Sequence, residues 1–142
     1  METAQCLRAH GIPCSVYMDA DMGGAVKGAD LALFGCEAVL PDGSVIGKIG
    51  QSAMACLCSR RRIPVYVYAG AQKLLPGAMQ CVTNLIREVP AGPEKARVRY
   101  FDVTPGEYID GIITEYGILP PGAAACFACE SVSGNLLHFI AA

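Results

Sequence analysis

Apolar and polar positions along this chain follow two rhythms. From Thr3 to His10 the apolar residues recur at helical spacing, and Gly11 closes that segment. Elsewhere the apolar residues gather in short runs that read as strands: "PCSVYM" (13–18), "DLALFG" (30–35), "IPVYVYAG" (63–70), "ARVRYFDV" (96–103) and a last one over Gly111 to Thr114. The run at 30–35 is apolar enough to predict burial on both faces. Between these runs the helical period returns. Asp19 and Asp21 are suited to cap a short helix, "MGGAVKGA", and the spacing from Ile49 to Arg61 predicts a longer one. Pro41-Asp42-Gly43 marks a turn.

The remaining punctuation is less regular. Ala71 to Lys95 carries Pro76, Gly77, Pro90, Gly92 and Pro93, so it reads as an irregular stretch; "MQCVTNLIREV" within it fits one helix or a packed loop. "TPGE" (104–107) has the form of a capping box, with Thr104 as cap, Pro105 at the first helical position and Glu107 reaching back. Pro120-Pro121-Gly122 predicts the start of a final helix to about Ser131, followed by the apolar tail "SGNLLHFIAA". Helix and strand alternating with short links predict an α/β fold: one domain, its mostly parallel sheet covered by helices.

Composition sharpens this picture. The 142 residues are 53% hydrophobic and only 17% charged, which suits a sheet covered on both faces or a surface made for a partner. The net charge of −2 and the lack of a basic stripe argue against direct nucleic-acid binding. Arg60-Arg61-Arg62 reads as the solvated end of a helix, where cations suit the negative end of the dipole. No charged start with an apolar block follows Met1, and no apolar run reaches the length of a membrane span, so a cytoplasmic protein away from membranes is expected. The eight cysteines mostly lie inside apolar runs and read as free buried thiols. Cys126 and Cys129 form a CxxC without a second pair, and Cys56 and Cys58 point away from each other on a helix, so neither a metal nor a cofactor is expected.

One stretch raises a chemical question. "LPDGSVIGKIGQSAMA" (40–55) sets glycines at 43, 47 and 50 around Lys48, just before a helix. The spacing is neither that of a Walker A loop nor that of the dinucleotide fingerprint. Backbone N–H groups at a helix start, with one lysine, still suit an anion, and the place after a strand's carboxyl end is where open α/β sheets bind ligands. The plainer alternative is a turn that starts a helix, with weak anion affinity. His10 and His138 stand at opposite ends of the chain, and no nucleophile–base order stands out. Glu37, beside Cys36 after the second apolar run, is a carboxylate placed for acid–base work or an ordinary loop residue.

The order of these blocks is itself informative. "GADLALFGCEAVLPDGSVIGKIGQSAMACLCSRRRIPVYVYAG" followed by "FDVTPGEYIDGIITEYGILPP" resembles the superfamily of sugar-phosphate isomerases and regulatory subunits of translation initiation factor two B. Members of that family carry a strand ending in Gly-Ala-Asp or Gly-Ala-Glu, an "NG.V.NKIGT" turn, an "(I/V)P.YV" strand and a "(F/Y)D.TPPE(L/Y)I" element. The likeness runs from about Thr3 to Pro121 and implies a Rossmann-like domain. It places the isomerases' aspartate at Glu37, the asparagine before the lysine at Gly47, and the threonine after "KIG" at Gln51. The second turn aspartate of the methylthioribose enzymes falls on Ser44, and the isomerases' cysteine belongs upstream of this chain. The resemblance therefore names Glu37, Gly47, Lys48, Gly50, Gln51 and Ser52 as ligand-site candidates, with Glu37 a vestigial catalytic one.

The end of the chain is most similar to the delta-type regulatory subunit. That likeness implies a non-catalytic subunit of the guanine-nucleotide exchange factor for initiation factor two. Its implied partners are the beta-type and alpha-type subunits and the phosphorylated alpha subunit of factor two, in a dimer or larger oligomer. Asp102, Thr104, Pro105, Glu107 and Tyr108 are the implied interface. The alternatives are a relative of the methylthioribose-1-phosphate or ribose-1,5-bisphosphate isomerases, and a regulatory domain that binds a phosphate or nucleotide. The family's helical N-terminal domain and first central strand have no counterpart in the sequence and are expected to be absent or supplied by another chain.

Overall fold

The computed structural model describes residues 2–76 and 86–127. Three apolar runs build its centre. β1 (Ala32–Gly35), β4 (Val65–Tyr68) and β8 (Gly111–Thr114) lie side by side in parallel, and β9 (Gly117–Leu119) folds back antiparallel on β8. The order is β1-β4-β8-β9. A second sheet, β2-β3-β7, is antiparallel: β2 is Ala38–Val39, β3 Val45–Lys48 and β7 Phe101–Thr104. A hairpin of β5 (Ile86–Ala91) and β6 (Glu94–Arg99) stands apart from both. The helices are α1 (Glu2–Ala9), α2 (Met22–Ala25) and α3 (Gln51–Arg60). The first sheet, with its helices, is the mixed, mostly parallel α/β architecture that the alternating pattern predicts; the antiparallel second sheet and the hairpin are additional to it.

The core follows the pleat. Val65, Val67, Ile112 and Phe34 share one face of the first sheet. There Val67 and Ile112 pack with Val39 and Val45 of the second sheet, while Ala55 and Cys58 of α3 cover Val65. Burying each such aliphatic side chain contributes about 1.5–3 kcal/mol. The opposite face tells a different story. Leu33, Tyr68 and Ile118 are 59%, 63% and 63% exposed, so β1 is not buried on both faces as its apolar sequence predicts. Nothing among the described residues covers them.

Other elements also depart from the sequence pattern. Residues 13–18 form no strand and are mostly exposed: they do not pair with β1, which is left as the edge of the sheet. The helix over "MGGAVKGA" is confined to Met22–Ala25; Asp21 caps it through Gly24 N–H at 3.1 Å. The run 96–103 breaks at Tyr100 into β6 and β7, which join different sheets. Residues 86–89 of the ambiguous stretch are strand, not helix. The capping box does not form: Thr104 is the buried last residue of β7, and Gly106–Tyr108 is one 3-10 turn with no side-chain cap. Pro121–Phe127 is 3-10 helix, and the rest of the expected final helix and the apolar tail lie outside the described residues.

The turn at Pro41-Asp42-Gly43 closes the β2–β3 hairpin. Gly43 has φ +84° and donates to the Leu40 carbonyl at 2.9 Å, while Asp42 accepts from Ser44 N–H at 2.9 Å. A Cβ on Gly43 would stand 2.6 Å from the Pro121 backbone. Gly43→Ala therefore meets both a disfavoured φ and a fixed neighbour, and should lower stability by about 1–2 kcal/mol. Urea unfolding checks this, and an unchanged midpoint would refute it.

Candidate functional site

The chain places its chemistry at the carboxyl ends of β1 and β4. There the strands stop, and Cys36 and Glu37 follow β1 while Tyr68 closes β4. A cleft of about 520 Å³ opens beside them, walled by Leu33, Tyr68, Met22 and Met54 and carrying Glu37, Lys48 and Lys73. Ligand sites of open α/β sheets lie at such strand ends. The backbone N–H of Glu37 donates to the Ile46 carbonyl at 2.8 Å, which ties the β1 exit to β3. The side chains then meet: Lys48 Nζ lies 3.4 Å from Glu37 Oε1 and 4.0 Å from the centre of the Phe101 ring.

The glycine–lysine stretch is thus mostly a strand. Val45–Lys48 pair with β7, in register Gly47 to Asp102 and Lys48 to Phe101. Gly50 then turns the chain into α3 with φ +96°, a conformation that glycine adopts without penalty. The start of α3 is partly filled from within the chain. Asp102 Oδ2 accepts from Gly50 N–H at 2.9 Å and Ser52 N–H at 3.4 Å. An anion is therefore not offered a bare helix start; a protein carboxylate caps it.

The predicted ligand residues converge only in part. Glu37, Lys48, Gly50 and Gln51 line the cleft. Ser52 gives its backbone N–H to Asp102. Gly47 is buried, and a Cβ there would overlap the Gln51 side-chain amide, so the missing side chain makes room for a long one four residues on. Gln51 Nε2 ends buried without a hydrogen-bond partner. The expected interface residues point in several directions. Asp102 and Thr104 are 8% and 0% exposed and sit inside the chain, which leaves them nothing to offer a partner. Tyr108 packs against α3, and its hydrogen bond to Cys56 pushes the phenol up from its ordinary value. Pro105 is half-buried, and Glu107 is exposed.

Lys73 is the site residue that sequence reasoning misses. It belongs to the short 3-10 turn Ala71–Lys73 after β4, and its ammonium donates to the Cys36 carbonyl. The irregular look of that stretch hides it; a cation just beyond a buried parallel strand is the signal that points to it. Cys36 itself is no nucleophile. Burial pushes its thiol up to about 11, against the pull of Lys73, so it stays protonated at neutral pH. Among the described residues no group of His, Cys, Asp and Glu could hold a metal ion, and no helix is long and apolar enough to cross a membrane.

A parallel-stranded α/β domain with a carboxylate and two ammonium groups at its strand ends has the makings of a phosphate-ligand site. Comparison with known proteins gives that class a family. A model described as the initiation factor 2 subunit family matches residues 1–121, and the chain belongs to that family. Ribose 1,5-bisphosphate isomerase of Haloterrigena turkmenica is 36% identical over 139 residues, 84% of this chain and 42% of that protein. The crystal structure of Pyrococcus horikoshii OT3 translation initiation factor eIF-2B is similar with a TM-score of 0.69 and 36% identity, over 83% of this chain and 43% of that one. The eIF-2B subunit delta of A. fulgidus follows at a TM-score of 0.67 and 25% identity, over 82% and 38%. The chain spans less than half the length of the relatives it matches.

These relatives correct one expectation. The isomerases' cysteine, which belongs upstream of this chain, and the departures at Ser44, Gly47 and Gln51 suggest a chain that is not an enzyme. Yet curated relatives 33–36% identical over most of the chain bear the name of an enzyme, ribose 1,5-bisphosphate isomerase. Those departures leave the Glu37–Lys48 pair at the strand ends in place.

Proposed function

We propose that this chain carries the sugar-phosphate end of an isomerase site of the ribose 1,5-bisphosphate type. The observation that carries the reading is the Glu37–Lys48 pair, joined at 3.4 Å on the rim of a cleft at the strand ends. Isomerising a sugar moves hydrogen between neighbouring carbons, so it needs a group that takes a proton and returns it. Glu37, 38% exposed at its side chain, is open to a ligand and held in direction by Lys48. A phosphate replaces the carboxylate as the partner of the Lys48 ammonium, which frees Glu37 to accept a proton. Leu33, Tyr68 and Met54 give the cleft an apolar wall against which a sugar face packs.

The reading is tested by isothermal titration with ribose 1,5-bisphosphate. Micromolar binding is expected, with affinity about tenfold weaker in Lys48→Ala and the thermal unfolding unchanged. Absence of heat with the unaltered chain refutes it.

A second reading is favoured by the uncovered sheet face. Leu33, Tyr68 and Ile118 offer an apolar patch, and parallel sheets are covered on both faces in folded assemblies. That suits a subunit of an eIF-2B-like complex, in which this face is buried against another chain. The same titration separates the two, since a purely assembling subunit leaves the sugar bisphosphate unbound.

A further inference from the structure

Behind the cleft, between the β3–β7 ladder and α3, lies a buried polar cluster that the proposed chemistry does not use. Gln51 Nε2, Asp102 Oδ1 and Thr104 Oγ1 are buried there without a hydrogen-bond partner among the described residues. The register sets Gly47 opposite Asp102 and Val45 opposite Thr104, so Gly47, Asp102 and Thr104 share one face of the ladder. The Gln51 carboxamide lies on that face, directly over Gly47. We infer that Gln51 is a positioning residue for Lys48: its carboxamide takes the place of the side chain that position 47 lacks and fixes the strand end from which the ammonium projects.

Three observations carry it. First, the backbone does not call for glycine at 47. Gly43 and Gly50 have positive φ, whereas Gly47 does not and pairs as ordinary strand. What its bareness supplies is room: a Cβ there would stand 2.5 Å from Cδ and 2.9 Å from Nε2 of Gln51, and closer still to Oε1. Second, filling that room does not by itself call for an amide. Gln51 is the first residue of α3, yet it folds back over the strand and buries a donor that finds no partner, which costs stability. An apolar side chain would fill the space at lower cost. The donor suits the place because the free oxygen of Asp102 is an acceptor on the same face, across the Gly47 pair. The other oxygen of Asp102 holds the N–H groups of Gly50 and Ser52, so Gln51 is bracketed on both sides.

Third, Lys48 is the next residue. A glycine inside a strand loosens it. Here the loosened position directly precedes the ammonium that stands 3.4 Å from Glu37 and 4.0 Å from the centre of the Phe101 ring. Successive positions of a strand point to opposite faces, so a group seated on Gly47 from behind sets the direction in which Lys48 leaves in front.

Lys48 carries its own reporter for the test. Its ammonium end lies over Phe101, whose ring current moves the NMR signal of the neighbouring ε-methylene protons upfield. Lys48→Arg assigns that signal by removing it. Gln51→Ala should lose most of the upfield shift. The double variant Gly47→Asn/Gln51→Ala, in which position 47 fills its own place, should regain it. Thermal melts show which variants fold. A Gln51→Ala chain that keeps the full shift overturns the inference. So does a folded double variant whose signal stays where Gln51→Ala leaves it, the mark of a glutamine that only packs. If Gln51→Ala does not fold, the double variant decides: folded with the full shift it supports the positioning role, and unfolded or without the shift it overturns it. No ligand enters the test, so its outcome is separate from that of the isomerase reading.

Discussion

On the isomerase reading proposed above, Glu37→Gln should cut turnover of ribose 1,5-bisphosphate by about a hundred- to ten-thousandfold, the usual worth of a positioned acid–base group. The substitution is nearly isosteric. It keeps an oxygen facing Lys48, which lies 3.4 Å from the carboxylate, so the cleft keeps its shape. What the amide cannot do is take a proton at neutral pH. The loss should therefore fall on kcat with KM little changed, the mark of an interaction made in the transition state. Glu37→Asp keeps the carboxylate and should retain more turnover than the amide. Steady-state kinetics of the three forms decide the matter, and a Gln variant with undiminished kcat would show that Glu37 only orients Lys48.

The second large effect concerns the fold that holds the site. Asp102→Ala should cost about 2–3 kcal/mol of stability, because one carboxylate oxygen accepts from two backbone donors at the start of α3. Removing it leaves the N–H groups of Gly50 and Ser52 without their acceptor in a partly buried place. Asp102→Asn keeps an acceptor and should cost about 1 kcal/mol, chiefly the lost charge at the positive end of the helix. Urea denaturation of the two variants gives the difference directly. Equal and small effects, below about 0.5 kcal/mol, would mean that α3 is held by its packing alone.

Asp102 also shows where sequence reading stops. Its partners lie some fifty positions away and are backbone groups, so no local pattern announces the bond; through the family resemblance "DVTPGEY" reads instead as an interface. β1, β4 and β8 were legible because a parallel strand buried on its inner face needs an apolar run, which each has. β2 and β3 were not, because Gly47 and Lys48 interrupt the apolar alternation and the pairing that makes them a strand comes from β7. Residues 13–18 have the composition of a strand and no neighbour to make one. Of the site, Glu37, Lys48 and Gln51 were found from spacing and resemblance. Lys73 was not, since its relation to the cleft exists only once β1 and β4 stand side by side.

The capping of α3 by Asp102 has a consequence for how the cleft meets a changing medium. A cradle of backbone N–H groups is fixed and shielded, and added salt barely touches it. Here Asp102 takes two of those N–H groups, and the positive charge of the cleft sits on two flexible side chains, one of them, Lys48, 72% exposed. Charges so placed are screened over about 8 Å at physiological ionic strength. On the isomerase reading, the grip on a sugar phosphate is thus a dial set by the surrounding electrolyte, tight in dilute buffer and looser in brine.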